Sequence, residues 1–277
     1  MEKPKLQISV GILSFKAPRT IDATLTQYGD FLNHFAEAWV FFQEFSDADR
    51  AIAQKHGIGY VGRFNNIGIQ GGIRWVVENL KSEYVLFLEN YFQLSCGMGE
   101  ALEAIGQALA LLQSRDIDIM RLRSRFRPGE PFNDVEKYTR IHKPKSIHPD
   151  FKDFHKIQKT SRFAKYIHPY KARKLSARAL YIEEFPEQVS PFVRKGENKS
   201  EGIYIVDSEG LPWTNNPVLT TRALFLKLLD YADAHPSSRT VGSMQDFEKP
   251  LNCRWWRKKH FKIGVGEGIF THNRLDR

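Results

Sequence analysis

Apolar positions along the chain follow two rhythms. Short unbroken runs at residues 6–13, 38–42, 58–61 and 84–88, rich in β-branched and aromatic side chains, read as buried strands. Between them the apolar spacing is helical. Ile69, Ile73, Val76, Val77 and Leu80 predict a helix after Gly68, and further helices are expected at about 19–35 and 46–56. The second opens on Ser46-Asp47-Ala48-Asp49, the Ser-x-x-Asp capping pattern. Leu102, Ile105, Leu109 and Leu112 mark another helix, and 118–123 reads as a strand. This alternation predicts an α/β fold, a mostly parallel sheet flanked by helices, with binding sites at the carboxyl ends of its strands. The loops after Leu13, Phe42, Val61 and Leu88 are therefore the places to look for chemistry.

The middle of the chain changes character. Residues 125–200 mix Pro, Lys, Arg, His and aromatics without a sustained period, apart from a possible strand at 179–182. Regular order returns with a strand at 203–206, helices at about 219–232 and 246–259, and a Gly-rich ending at 263–272. No internal repeat is visible. For 277 residues these features suggest one large domain over 1–277, with a first half to about 123 and a second half, about 124–277, carrying the irregular insertion.

Forty-one Lys and Arg against thirty-two Asp and Glu leave a net charge of +9, which favours anionic partners. Arg121, Arg123, Arg125 and Arg127 alternate as one face of an extended strand would. Lys143, Lys145, Lys152, Lys156, Lys159, Arg162 and Lys165 continue the charge, interleaved with Phe151, Phe154, Phe163 and Tyr166. Such a run suits a solvated face, single-stranded nucleic acid, or a patch for a peripheral membrane surface. Cys96 and Cys253 have no zinc or Cys-x-x-Cys spacing, so a reducing, cytoplasmic setting is expected. No apolar run approaches the roughly 20 residues of a membrane span. Met1 to Lys5 has no apolar region behind it, so no cleaved signal is expected either. The one Asn-x-Ser acceptor, Asn198 to Ser200, is near chance frequency.

Several enzyme signatures are missing or misplaced. Gly57-Ile58-Gly59-Tyr60-Val61-Gly62 spells Gly-x-Gly-x-x-Gly, but it follows a helix and overlaps a strand, where a dinucleotide site needs the reverse order. Gly264-Val265-Gly266-Glu267-Gly268 has too little chain behind it for a supporting helix. No phosphate-cradling Gly-x-x-x-x-Gly-Lys-Ser/Thr, His-Glu-x-x-His or Gly-x-Ser-x-Gly occurs.

What stands out is an ordered series. Ser14-Phe15, then Phe42-Gln43-Glu44, then Asn65-Asn66-Ile67-Gly68-Ile69-Gln70-Gly71-Gly72, then Leu88-Glu89-Asn90-Tyr91 follow successive strands. The series resembles the nucleotide-sugar half of family 2-type glycosyltransferases with the GT-A (Rossmann-like) fold, over about residues 6–92. The likeness resumes between about 203 and 272, where Thr214-Asn215-Asn216-Pro217 and Gly242-Ser243-Met244-Gln245-Asp246-Phe247-Glu248 look like the acceptor loop and the Glu-Asp catalytic motif. The resemblance implies transfer of a sugar from a nucleoside-diphosphate donor to an acceptor hydroxyl on a glycan or lipid-linked acceptor, with inversion. It implies a donor site at Ser14, Phe15, Glu44, Asn66, Gly68, Gly72 and Glu89, and Asp246 as general base with Glu248 as substitute. Asn215 and Asn216 fall in the acceptor loop, and Trp213, just before it, is the Trp expected to stack on a sugar ring.

Two positions depart from that pattern. Tyr91 stands where the second carboxylate of Asp-x-Asp belongs, and Gln245 replaces the first acid of Glu-Asp. A Mn2+ or Mg2+ ion would rest on Glu89 and His272, yet a neutral phenol is a poor ligand for either cation. If Tyr91 holds no metal, Arg and Lys must stabilise the departing diphosphate, with Arg63, Arg74, Arg121 and Arg123 as candidates. Turnover in the presence of a chelator is then expected. The same departures leave a rival reading, a degenerate transferase-like module binding RNA or an anionic glycan, although nucleic acid is the less expected partner.

Overall fold

The computed structural model describes residues 5–276 apart from 131, 155–156, 162, 198–201, 239 and 242–243. The acceptor sequence Asn198 to Ser200, Gly242 and Ser243 of the late motif, and Lys156 and Arg162 of the basic run lie outside the described residues.

Ten strands build one sheet: β1 (Leu6–Phe15), β2 (Phe35–Gln43), β3 (Gly59–Arg63), β4 (Tyr84–Glu89), β5 (Phe92–Leu94), β6 (Ile119–Arg123), β7 (Val193–Lys195), β8 (Tyr204–Asp207), β9 (Val218–Thr221) and β12 (Lys262–His272). A separate two-stranded ribbon pairs β10 (Thr240–Val241) with β11 (Met244–Gln245). The order in the large sheet is β3-β2-β1-β4-β9-β6-β12-β8-β7, with β5 beside β12. Seven of the ten strands point one way, and β5, β8 and β9 run against them. This is the mixed, mostly parallel α/β sheet expected from the apolar rhythm.

The helices are α1 (Pro18–Tyr28), α2 (Asp47–Lys55), α3 (Gly68–Asn79), α4 (Met98–Gln113), α5 (Asp134–Thr139), α6 (Pro149–Phe154), α7 (Ala164–Ile167), α8 (Pro169–Leu175), α9 (Arg222–Ala234), α10 (Glu248–Leu251) and α11 (Arg254–Lys259). Ile21, Leu25, Ile105 and Leu109 of α1 and α4 pack with Ile8, Val10, Ile12, Leu86 and Leu88 on one face. Ile73, Val76 and Val77 of α3 and Phe225, Leu228 and Leu229 of α9 pack with Val85 and Phe87 on the other. Central strands covered on both faces need apolar side chains in both directions, which is why β1 and β4 read as unbroken runs rather than alternating ones. Packing rather than capping holds α3. Ile73, Val76, Val77 and Leu80 are buried, each worth roughly 1.5–3 kcal/mol, against about 1 kcal/mol for the N-cap side chain that Ile67 cannot supply.

Several boundaries differ from expectation. The helix expected over 19–35 stops at Tyr28, because Gly29 turns the chain with a φ of 49° into a 3-10 segment, Gly29–His34. The run at 179–182 overlaps a buried 3-10 segment, Ser176–Tyr181, rather than forming a strand. Short apolar runs do not distinguish the two. At 219–232 the first residues belong to β9, and the Thr221 hydroxyl then caps α9 by accepting from Leu224 N–H at 3.2 Å. The helix expected over 246–259 is two short ones, α10 and α11, separated at Asn252 and Cys253. The Ser46 capping box is present as the sequence suggests.

Candidate active site

Because β1, β2, β4, β6 and β12 run the same way, Phe15, Gln43, Glu89, Arg123 and His272 leave the sheet at one edge. β9 runs against them, so Asn215 and Asn216, just before it, join that edge from the opposite direction. Strand order also reverses at β1, with β2 on one side and β4 on the other, and it is beyond the carboxyl ends at such a reversal that open α/β sheets place a ligand crevice.

Side chains lock the floor of that crevice. Asn90 Nδ2 donates to the buried Ser14 Oγ at 3.1 Å, Asn90 N–H donates to Leu13 O at 3.0 Å, and Thr24 Oγ1 donates to Asn90 O at 2.8 Å. Ser14 is thus held between two strand ends. Beside it Lys16 and Glu44 pair at 2.6 Å, and both have left-handed backbone, with φ of 46° and 50°. Neither is glycine, so this rim carries strain of the kind that gathers at functional sites. Phe15 is half-buried, with the Lys16 ammonium 5.4 Å from its ring centre.

The Asn66 to Gly68 loop is positioned by Gln43, a residue the sequence did not single out. Its Oε1 accepts Ile67 N–H at 2.7 Å and its Nε2 reaches Gly68 O at 3.4 Å, while Asn66 Oδ1 accepts Gly68 N–H at 2.8 Å. Gly68 has a φ of 73°, and a Cβ there would sit 2.4 Å from Met244 Cβ. Only glycine fits, and the result is that β11, the segment leading into Asp246, lies against the start of α3.

Three expected binding residues have other work. A Cβ on Gly72 would meet Leu13 Cδ2 at 2.8 Å and Gln43 Nε2 at 2.9 Å, so this glycine lets α3 close onto β1 rather than line a pocket. Arg74 is tied to Glu78, Asp230 and Asp233 at 3.2, 2.9 and 2.6 Å, bridging α3 to α9. Trp213 is 2% exposed among Phe225, Phe247 and Trp256, and its Nε1–H donates to Asn215 Oδ1 at 3.1 Å. It supports the 214–217 loop from beneath and offers no face for stacking. Arg63 rests on the Trp75 ring. Arg121 donates to the Tyr181 hydroxyl at 3.0 Å and to Pro212 O.

Three carboxyl groups, Glu89, Asp246 and Glu248, are linked electrostatically at this edge. Phe247, fully buried against Trp213 and Phe225, anchors the late segment and leaves Asp246 and Glu248 on either side of it. Glu248 Oε1 accepts Asn215 N–H at 2.9 Å, and Asp246 Oδ1 accepts Glu248 N–H at 3.0 Å. Asp246 is buried, whereas Glu248 is partly open. Burial raises the Glu248 pKa and the Asp246 charge adds to it, opposed by the Asn215 N–H and by Arg121. Burial pushes Glu89 up to about 7, and the charge of Glu248 adds to that, while the Tyr91 hydroxyl, Arg274 and Arg123 oppose it. Glu89 and Glu248, from opposite ends of the chain, therefore feel each other's charge.

Tyr91 is held well above its ordinary pKa by burial and by Glu89, so it stays a neutral phenol. The His272 ring lies 4.1 Å from the Tyr91 ring, centre to centre. Arg123 donates to Pro128 O at 2.7 Å, Asn216 Oδ1 at 2.9 Å and Gly129 O at 3.1 Å, and burial lowers its pKa to about 10, leaving it charged at neutral pH. The set around Glu89 is thus its own carboxylate with that of Glu248 within charge range, one phenol and one imidazole, with two guanidinium groups nearby. Mn2+ and Mg2+ prefer carboxylate and water oxygens, so the Tyr91 phenol and the His272 imidazole fit them poorly. Among the described residues one metal-spaced group, Asp207, Glu209 and His260, occurs, and it lies at the other edge of the sheet, where β8 ends beside the start of β12. Arg274 completes the Glu89 surroundings and carried no signal in the sequence.

No family model matches the chain, and no curated protein matches it. Among solved structures it is similar to the mannosyltransferase PcManGT from Pyrobaculum calidifontis in complex with GDP-Man and Mn2+, at 10% identity over 50% of this chain and 43% of that one, with a TM-score of 0.37. It is similar to S. aureus TarS 1–349 at 12% identity over 97% of this chain and 60% of that one, with a TM-score of 0.48. Glucosyl-3-phosphoglycerate synthase from Mycobacterium tuberculosis, with Mn2+, UDP-glucose and phosphoglyceric acid, is similar at 11% identity over 97% and 72%, with a TM-score of 0.49. The chain spans less than two thirds of the first two proteins. At these identities no residue role passes from them to this chain.

Proposed function

We propose that the protein is a glycosyltransferase that moves a sugar from a nucleoside-diphosphate donor to an acceptor hydroxyl with inversion. The observation that carries this reading is that Glu89, at the carboxyl end of β4, lies within range of the charge of Glu248, which follows the segment seated on Gly68. In this reading the nucleoside lies along Ser14, Phe15, Glu44 and Asn66, and the acceptor enters over Asn215 and Asn216. Glu248 takes the proton of the acceptor hydroxyl as its oxygen bonds to the anomeric carbon and the carbon–oxygen bond to the diphosphate breaks. A carboxylate with raised proton affinity suits that task, and a positioned base typically contributes about 10² to 10⁴ in rate. Asp246 raises that affinity and fixes the Glu248 backbone. Arg123 and Arg274 receive the negative charge growing on the leaving diphosphate.

The test is nucleotide release from a panel of UDP, GDP and dTDP sugars without acceptor. Slow hydrolysis of one donor, with tight binding of its nucleoside diphosphate, is expected. Absence of binding to every donor, together with salt-sensitive RNA binding, would remove the transferase reading.

A further inference from the structure

Away from the crevice, four large side chains stand in solvent at helical spacing. Phe163, Tyr166, Ile167 and Tyr170 are 67%, 71%, 66% and 70% exposed and occupy positions i, i+3, i+4 and i+7 across α7 and the start of α8. The buried side of α8 is a different one, Ala172 and Leu175, packed on Ile141. This stripe is thus not the reverse of a core contact. Isolated exposed apolar residues are ordinary, but four within eight residues, three of them on α7 or its N-cap and one at the start of α8, mark a candidate interaction surface.

Along this stretch of the chain the charge is of one sign. From Phe154 to Ile182 the chain holds eight Lys and Arg and no Asp or Glu. Tyr170 also stands at the mouth of a cleft of about 380 Å³ whose walls carry Arg173, Lys174, Arg254, Arg257 and Lys258. The cations crowd one another: burial lowers the Lys174 pKa, and the charges of Arg257, Arg178 and Lys249 lower it further. Glu209, paired with Arg173 at 3.8 Å, is the one acidic residue lining the cleft.

We propose that the 163–170 row and the adjoining basic cleft form a docking surface for an anionic lipid bilayer. The aromatic and aliphatic side chains enter the interfacial layer, and the cleft takes lipid phosphate groups. A second copy of the chain would bring this cationic array against itself. Single-stranded nucleic acid would use the aromatics but gain nothing from the aliphatic Ile167. The cleft reaches Glu209 and His260 at the sheet edge opposite Glu89, so docking leaves the β1/β4 crevice open to soluble donor. The inference therefore stands apart from the transferase reading.

Co-sedimentation of the full chain with vesicles of phosphatidylcholine alone, or with about one third phosphatidylglycerol, tests it. Binding to the second and not the first is expected, weakening as salt rises. The variant F163S/Y166S/I167S/Y170S should partition at least about tenfold less, and R254E/K258E likewise, since both the apolar and the electrostatic contributions are needed. Both variants should keep the melting temperature of the parent and its binding of nucleoside diphosphate, because the altered side chains are exposed and remote from the crevice. Should either variant melt early, the single changes Tyr170→Ser and Lys258→Glu serve in its place, each expected to reduce partitioning measurably. Failure to bind anionic vesicles overturns the proposal, as does undiminished binding by the folded variants. Binding of an oligouridylate by a protein that ignores the vesicles overturns it in favour of RNA.

Discussion

The Tyr91 hydroxyl donates to the Glu89 carboxyl, and the His272 ring covers the Tyr91 ring from the side. In the proposed transferase reading, this contact would put a shared proton where a metal ion would otherwise sit. A phenol kept neutral can donate to a carboxyl group, but it cannot neutralise a diphosphate. In the proposed reading that work would fall to Arg123 and Arg274.

A chelator separates the two arrangements. Donor hydrolysis by the wild type should continue in EDTA, and Tyr91→Asp should create Mn2+ binding measurable by calorimetry. If EDTA abolishes wild-type turnover and Mn2+ restores it, the arginine account is wrong.

The carboxylates at the late segment differ in expected effect. Glu248→Gln should reduce turnover by about 10² to 10⁴ while donor affinity stays within a few fold. Asp246→Asn should reduce it less and move the alkaline-rising limb of the pH–rate profile to lower pH, because one source of the raised Glu248 pKa is gone. Equal loss of turnover and donor affinity in both variants would reduce the pair to a structural turn.

Glu89 makes stability and donor binding depend on pH. Its pKa is about 7 in the fold and near 4.3 in an unfolded chain, so the folded state holds the extra proton. The stabilisation is therefore full below about pH 4 and is lost as pH rises through 7, with a size of order 2 kcal/mol after allowance for the partly open setting. Glu89→Gln should flatten the fall in melting temperature between pH 5 and pH 8. The affinity for a nucleoside-diphosphate sugar should weaken above neutrality in the wild type alone, since ionised Glu89 repels the diphosphate. An unchanged pH profile in the variant would contradict this assignment.

Trp213 should behave as core. Trp213→Ala is expected to cost about 3–5 kcal/mol, and Trp213→Phe much less, both followed by thermal melting. At a temperature where Trp213→Phe remains folded, its turnover should stay close to wild type. A selective loss of acceptor affinity in that variant would return Trp213 to the binding surface.

Arg74→Ala isolates the last reassignment. It should leave donor affinity unchanged and lower stability by no more than about 1 kcal/mol, as expected for a partly exposed ion pair network. A large fall in donor affinity would place the guanidinium back in the crevice.

The apolar rhythm by itself determined the alternating strands and helices of the first ninety or so residues and the edge at which their loops gather. Burial on both faces of a sheet demands long apolar runs, and helices packed on it demand a 3.6 period, so both leave a mark on neighbouring residues. The placing of Glu44, Asn66 and Glu89 at that edge was legible for that reason, since they follow the ends of such runs. What each side chain does was decided only by distant contacts. Trp213 looked available and is enclosed by Phe225 and Phe247, Arg74 looked like a phosphate ligand and is claimed by Asp230 and Asp233, and Gln43 passed unnoticed until it met Ile67 and Gly68. The meeting of Glu89 with Glu248 belongs to the same class. Their electrostatic link depends on the reversed direction of β9, the glycine at 68 and the burial of Phe247, and no local pattern encodes an arrangement set by three separate packing events.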